Sequence, residues 1–365
     1  MVRDRIGRID KILLAAVMLV AFLGIAFIYS ATWNGGDPAT GINPLVIKQS
    51  IWVLLGFVLL FVFANVDYLR VLNFAYVAYG FNIVLLIFLL VFGGERYGAR
   101  RWISLGPISL QPSEFVKITV ILILAYFFGE RREKIKTLGT YVGAFLLVSP
   151  AVLLIFLQPD LGTAFVLVPI LLSVLFVCGC GKKYIAVTLF GALSSLPFLW
   201  HFLKDYQKNR LMVFLNPDLD PLGAGYTIIQ SKIAIGSGGL FGKGWLNGTQ
   251  SYLRFLPERH TDFIFSVIGE EWGFIGAMAL LGLYALILVR GIKIISEVKD
   301  MYGKVISTGV VTLIAFQVVV NISMTIGLMP VVGLPLPAIS YGGSNTIATL
   351  FAAGLLLSVS RRANR

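Results

Sequence analysis

Apolar residues in this chain fall in long unbroken runs, not at the spacing of a soluble helix face or a half-buried strand. Ten runs reach or approach the roughly 20 residues that a helix needs to cross the hydrocarbon core of a bilayer. They cover 12–31, 46–64, 71–92, 114–129, 140–157, 161–180, 185–203, 263–289, 306–328 and 345–360. The pattern predicts an all-α polytopic membrane protein, a single domain over residues 1–365. The last run is short, and the Pro- and Gly-rich stretch before it suggests backbone that dips back into the bilayer. Such backbone is tolerated at depth only where protein or a polar cavity covers it. Arg3, Arg5, Arg8 and Lys11 precede the first run, which is too long for a signal-peptide core, so an uncleaved first helix is expected.

Composition agrees. The chain is 58% hydrophobic and 13% charged, with a mean hydropathy of +0.87. That is about half the charged fraction of a soluble domain. The charges are also unevenly placed. With the N-terminus inside, the cytoplasmic turns and both termini hold 18 of the 30 basic residues against seven acids, so nearly all of the net +12 lies on that side. Basic residues at every inner turn set the orientation and remove nucleic acid as the reason for the high pI.

The outer segments are longer, mixed in charge and rich in Gly, Pro and Trp. The longest, 204–262, joins helices 7 and 8 and is too aromatic to be disordered. Within it Tyr226–Ile235 reads as an amphipathic helix at the membrane surface. Cys178 and Cys180 read as small apolar residues at a helix end. With only two histidines, a His-based triad is not expected.

Ionisable residues at membrane depth cost about 2.5–3.5 kcal/mol each on insertion scales, so they mark function by default. In QPSEFVKI, Glu114 and Lys117 share one helix face; they form either a helix-end pair or the mouth of a cavity. In LQPDLGT, Asp160 is either an N-cap or an acid presented to that cavity. In LPERHTDFIFSVIGEEWGF, Glu258, Arg259, His260 and Asp262 lead into an apolar helix. In GLPLPAISYGGSNT, prolines and paired glycines exclude ordinary helix, and Ser340 adds a hydroxyl. Arg101 in GARRWISLG and Lys243 in GSGGLFGKGW supply cations suited to phosphate oxygens.

ARRWISLG, QPSEFVKI, LQPDLGTA, LPERHTDFIFSVIGEEWG and GLPLPAISYGGS, in this order over almost the whole chain, resemble the shape, elongation, division and sporulation (SEDS) family. The spelling PERHTDFIF with QPSEFVKI is closer to the rod-shape branch than to the division branch. The resemblance implies a peptidoglycan glycosyltransferase that polymerises lipid II outside the bacterial cytoplasmic membrane, for cell elongation. It also implies a class B penicillin-binding protein as crosslinking partner. The family's essential aspartate falls on Asp262. An acceptor hydroxyl needs a base at the moment of attack. Asp262 then serves as that base or holds an activating metal. Arg101, Lys117 and Lys243 would neutralise pyrophosphate; Glu114 and Asp160 would orient them or join a divalent magnesium or manganese site. Glu258 and Ser340 would support the site. No organic cofactor is expected. Two rival readings are a transporter of the same lipid and an inactive scaffold. Both explain the helices, but neither explains why the acids and cations crowd the outer half.

Overall fold

The computed structural model describes residues 9–33, 43–93, 101–105, 108–181, 183–188, 190–191, 194, 201, 205–220, 223–253 and 255–363. Its long helices are α1 (Lys11–Ala31), α2 (Pro44–Asn65), α4 (Ala75–Phe92), α5 (Pro112–Glu130), α6 (Leu138–Leu157), α7 (Leu161–Val177), α11 (Ile264–Glu297), α12 (Met301–Thr325) and α13 (Gly343–Ala363). A short α3 (Tyr68–Leu72) precedes α4, and α8 (Asp205–Leu215), α9 (Ala224–Ser237) and α10 (Thr249–Tyr252) lie between α7 and α11. Eight of these helices are long and apolar enough to span a membrane, and α7 is a shorter apolar helix. The expected span 185–203 falls largely outside the described residues.

Local chemistry explains most helix ends. Asp10 caps α1 by accepting from the amides of Ile12 and Leu13 at 3.1 and 3.0 Å. Asn43 caps α2, and Pro44 occupies its first turn, where a missing N–H leaves nothing unsatisfied. Inner and outer helices differ in burial. α5, α12 and α13 are buried on almost every side, whereas α2, α4 and α6 keep wide apolar faces exposed, as lipid-facing helices do. α2 and α13 approach closely because Gly354 has no side chain; a Cβ there would stand 2.8 Å from the Leu60 carbonyl oxygen.

Several expectations change. One short antiparallel hairpin, β1 (Ile103–Leu105) with β2 (Ile108–Leu110), interrupts the all-α pattern before α5. The run expected to end at 289 continues to Glu297 and is broken at Gly273, where φ is +65°. The break was invisible to hydropathy because glycine is neutral on that scale. α9 does form, but its buried Ser231 hydrogen-bonds Ser266 of α11 at 2.7 Å and the Thr325 carbonyl at 2.6 Å. That face is covered by the bundle, not by lipid. The irregular stretch before α13 is buried at Leu334, Leu336 and Ile339, with Tyr284 donating to the Pro337 carbonyl at 2.6 Å. Protein covers this irregular backbone, as membrane depth requires.

Charges divide the two ends. At one end Arg290 bonds Asp10 at 2.6 Å and Arg362 bonds Asp67 at 3.2 Å. The other end carries the hairpin, the starts of α2, α5, α7, α11 and α13, and a cavity of about 550 Å³.

Candidate active site

The turn that carries Asp262 is fastened from behind. Three successive carbonyls are each taken by a residue distant in sequence. Tyr341 N donates to His260 O at 2.8 Å, Ser340 Oγ to Thr261 O at 2.6 Å, and Asn321 Nδ2 to Asp262 O at 2.9 Å. Glu258, at φ +49°, accepts on its carbonyl from the amides of Thr261 and Phe263 at 3.1 and 3.3 Å. A left-handed non-glycine residue persists only where its surroundings hold it. Phe263, Ile264 and Phe265 are buried and anchor the first turn of α11. With the backbone held, the Asp262 side chain borders the cavity.

Burial and, after it, the negative charge of Glu258 push the Asp262 carboxyl up to about 6, against the opposing pull of Arg210 and Arg101. At neutral pH it is therefore mostly ionised but close enough to accept a proton. Burial lowers the pKa of His260, against the opposing charge of Glu258.

The facing wall comes from α5 and α7. Lys117 donates to Glu114 at 2.7 Å with both side chains buried; Glu114 borders the cavity and Lys117 stands behind it. Asp160 performs both roles that the sequence left open. It caps α7 by accepting from Thr163 N at 3.3 Å, and it meets Arg101 Nη1 at 3.6 Å and Gln111 Nε2 at 3.2 Å. Arg101 is also held by the carbonyls of Gln158 and Pro159.

Of the expected site residues, Asp262, Arg101, Glu114, Asp160 and Glu258 border one cavity. Lys117 supports Glu114, and Ser340 supports the Asp262 turn. Lys243 requires correction. It bonds Glu270 and Thr249 at 2.8 Å each and is not among the cavity's lining residues. Its position follows from the break at Gly273: the amides of Lys243 and Gly244 satisfy the carbonyls of Glu270 and Glu271 at 3.0 Å, and the amides of Phe274 and Ile275 reach Gly239 and Leu240 at 2.9 and 3.1 Å. The 239–244 loop thus plugs the broken helix.

Sequence reasoning missed Arg210, Lys48, Trp52 and Asn345, all of which border the cavity. Arg210 belongs to no motif. Lys48 carried a usable signal, a lone cation within an apolar helix.

Among the described residues no three His, Cys, Asp or Glu groups stand together closely enough to hold a metal ion. Asp262, Glu114 and Asp160 share the cavity without converging, and the last two already have cationic partners. The residues do not fit a metal caged by protein alone.

A family model described as the cell cycle protein of FtsW, RodA and SpoVE matches residues 10–365. The chain is 42% identical to the peptidoglycan glycosyltransferase MrdB of Escherichia coli K12, over 96% of this chain and 94% of that protein. It is 36% identical to the peptidoglycan glycosyltransferase RodA of Treponema pallidum, over 97% and 98%. A solved structure concerned with the structural coordination of polymerization and crosslinking by a peptidoglycan synthase complex superposes with a TM-score of 0.82 at 36% identity, covering 97% of this chain and 98% of that one. The rod shape determining protein RodA of Thermus thermophilus superposes with a TM-score of 0.71 at 34% identity, covering 98% of each chain.

Proposed function

The chain belongs to the FtsW, RodA and SpoVE family of cell-cycle proteins, and we propose that it polymerises lipid II with Asp262 as the general base. It is a polytopic membrane protein and a peptidoglycan glycosyltransferase of the RodA type, serving rod shape. The observation that carries the mechanistic reading is the placement of Asp262. Its turn is clamped at three carbonyls, and its side chain borders a cavity that also holds Arg101 and Arg210.

In the proposed step the acceptor sugar hydroxyl attacks the anomeric carbon of the donor. Its proton passes to the Asp262 carboxylate. The bond from that carbon to the pyrophosphate oxygen breaks, and the lipid pyrophosphate leaves against Arg101 and Arg210. Asp160 and Gln111 hold the Arg101 side, and Glu114, paired with Lys117, borders the same cavity. The concentration of basic residues at the far end supports an outer-face site in the bacterial cytoplasmic membrane, with that basic end in the cytoplasm. The complex described for the structural relative supports a class B penicillin-binding protein as partner.

The test is glycan formation from purified lipid II, with and without that partner and with and without magnesium or manganese. Wild type should give polymer, and Asp262→Asn, folded and monodisperse, should give none. Polymerisation at the wild-type rate by Asp262→Asn would remove the assigned base.

A further inference from the structure

The step above uses one cationic wall of the cavity. A second wall forms where α2 meets the start of α13. Gln49 ties the two helices, donating from Nε2 to Thr346 Oγ1 at 2.9 Å and accepting on Oε1 from Gly342 N at 3.2 Å. Trp52 lies over Gly343, where a Cβ would come within 2.7 Å of the indole. Gln111 N donates to Ser344 Oγ at 2.9 Å, which fixes the end of the hairpin to the same turn.

This wall presents groups whose partners are missing. The first amides of α13 have no intrahelical acceptor, and they form the positive end of a 21-residue helix. Asn345 is only 5% exposed and borders the cavity, yet neither Nδ2 nor Oδ1 has a hydrogen-bond partner among the described residues. An unpaired buried amide is destabilising and calls for an explanation. Lys48 borders the same cavity and forms no ion pair among the described residues.

We propose that the α2–α13 wall is the subsite for the acceptor, a lipid-linked amino sugar distinct from the donor. Asn345 pairs with the acetamido or hydroxyl groups of its sugar. Trp52 packs under the ring face. Lys48 and the first amides of α13 take its phosphate. The assignment rests on the glycosyltransferase reading and extends it. In the donor the broken bond joins the sugar to its own pyrophosphate, so that pyrophosphate sits on the reacting carbon itself. The acceptor reacts through a hydroxyl one sugar removed from its phosphate. Arg101, bonded to Asp160 and to the Gln158 and Pro159 carbonyls, lies on the wall already assigned to the donor pyrophosphate. The remaining anion-binding wall, at the α2–α13 turn, therefore falls to the acceptor.

The experiment separates the two substrates. Lipid II with the terminal-sugar 4-hydroxyl blocked can serve only as donor. With this analogue saturating, authentic lipid II is titrated as acceptor; the reverse titration reports the donor. Lys48→Gln and Asn345→Ala should each raise acceptor half-saturation by about tenfold, with donor half-saturation within about twofold, the scale of one lost charged or buried hydrogen bond. Arg210→Gln should do the opposite. Equal rises for both substrates, or no rise for either, overturn the assignment. Lys48 is exposed, so its variant keeps the test readable even where Asn345→Ala misfolds. Absence of any coupled product from wild type in this assay is a different result and removes the glycosyltransferase reading itself.

Discussion

Asn321 donates from one side-chain nitrogen to the Asp262 carbonyl at 2.9 Å and to the Leu334 carbonyl at 2.8 Å. A single buried amide on α12 thus joins the turn that carries the base to the irregular segment before α13. Replacement by Leu leaves both carbonyls without this donor and frees the turn. Displacements near 1 Å cost about 10²-fold in rate. Asn321→Leu should lower kcat by about that factor and change KM by less than about threefold. Steady-state polymerisation kinetics check this, and an unchanged kcat would show that Ser340 and Tyr341 hold the turn alone.

The pH dependence follows from Asp262. A base must be ionised to act, and this carboxyl is pushed up to about 6. The rate should therefore fall tenfold per pH unit below about 6 and level off above it. Glu258 raises that value through its negative charge. Glu258→Gln removes the charge, so the acid limb should move to lower pH. A limb that stays in place or moves upward would show that Asp262 is not the group being titrated.

Glu114 and Lys117 form a buried pair at 2.7 Å. Removing one partner of such a pair costs about 3–5 kcal/mol because the other charge stays buried, whereas replacing both by apolar residues is often neutral. Lys117→Ala should lower the thermal midpoint in detergent markedly. Glu114→Leu with Lys117→Leu should recover it while polymerisation stays lost, since Glu114 borders the cavity. Full activity in the double variant would make the pair purely structural.

The broken helix makes a separate prediction about stability. Gly273 has φ +65° and ψ −162°, and a Cβ there would stand 2.3 Å from Gly242 N. Gly273→Ala should destabilise the fold by at least about 1–3 kcal/mol, the usual strain of such a conformation. Lys243→Met should also lower the thermal midpoint, because Glu270 is fully buried and loses its cation. It should leave KM for lipid II within about twofold, since Lys243 lies outside the cavity lining. A large rise in KM would return Lys243 to substrate binding.

Much of this architecture was legible in the chain itself. Length and apolarity of a run depend only on local composition, so the spans at α1, α2, α4, α5 and α6 were found within a few residues. The gathering of Lys and Arg at one end of the bundle was also legible, and Asp262, Glu114, Asp160 and Arg101 stood out as ionisable residues near membrane depth and in the family's motifs. Tertiary structure decided which of these charges meet. Lys243 and Arg101 look alike in sequence, each a cation in a Gly-containing outer loop. Packing sends one to plug the break at Gly273 and the other to Asp160. Arg210, Lys48 and Asn345 join the site because α8, α2 and α13 converge there. That convergence depends on contacts between residues up to about 300 positions apart, such as Gln49 with Thr346. Hydropathy and spacing report on neighbours along the chain, and a site assembled at the mouth of a bundle is made of neighbours in space.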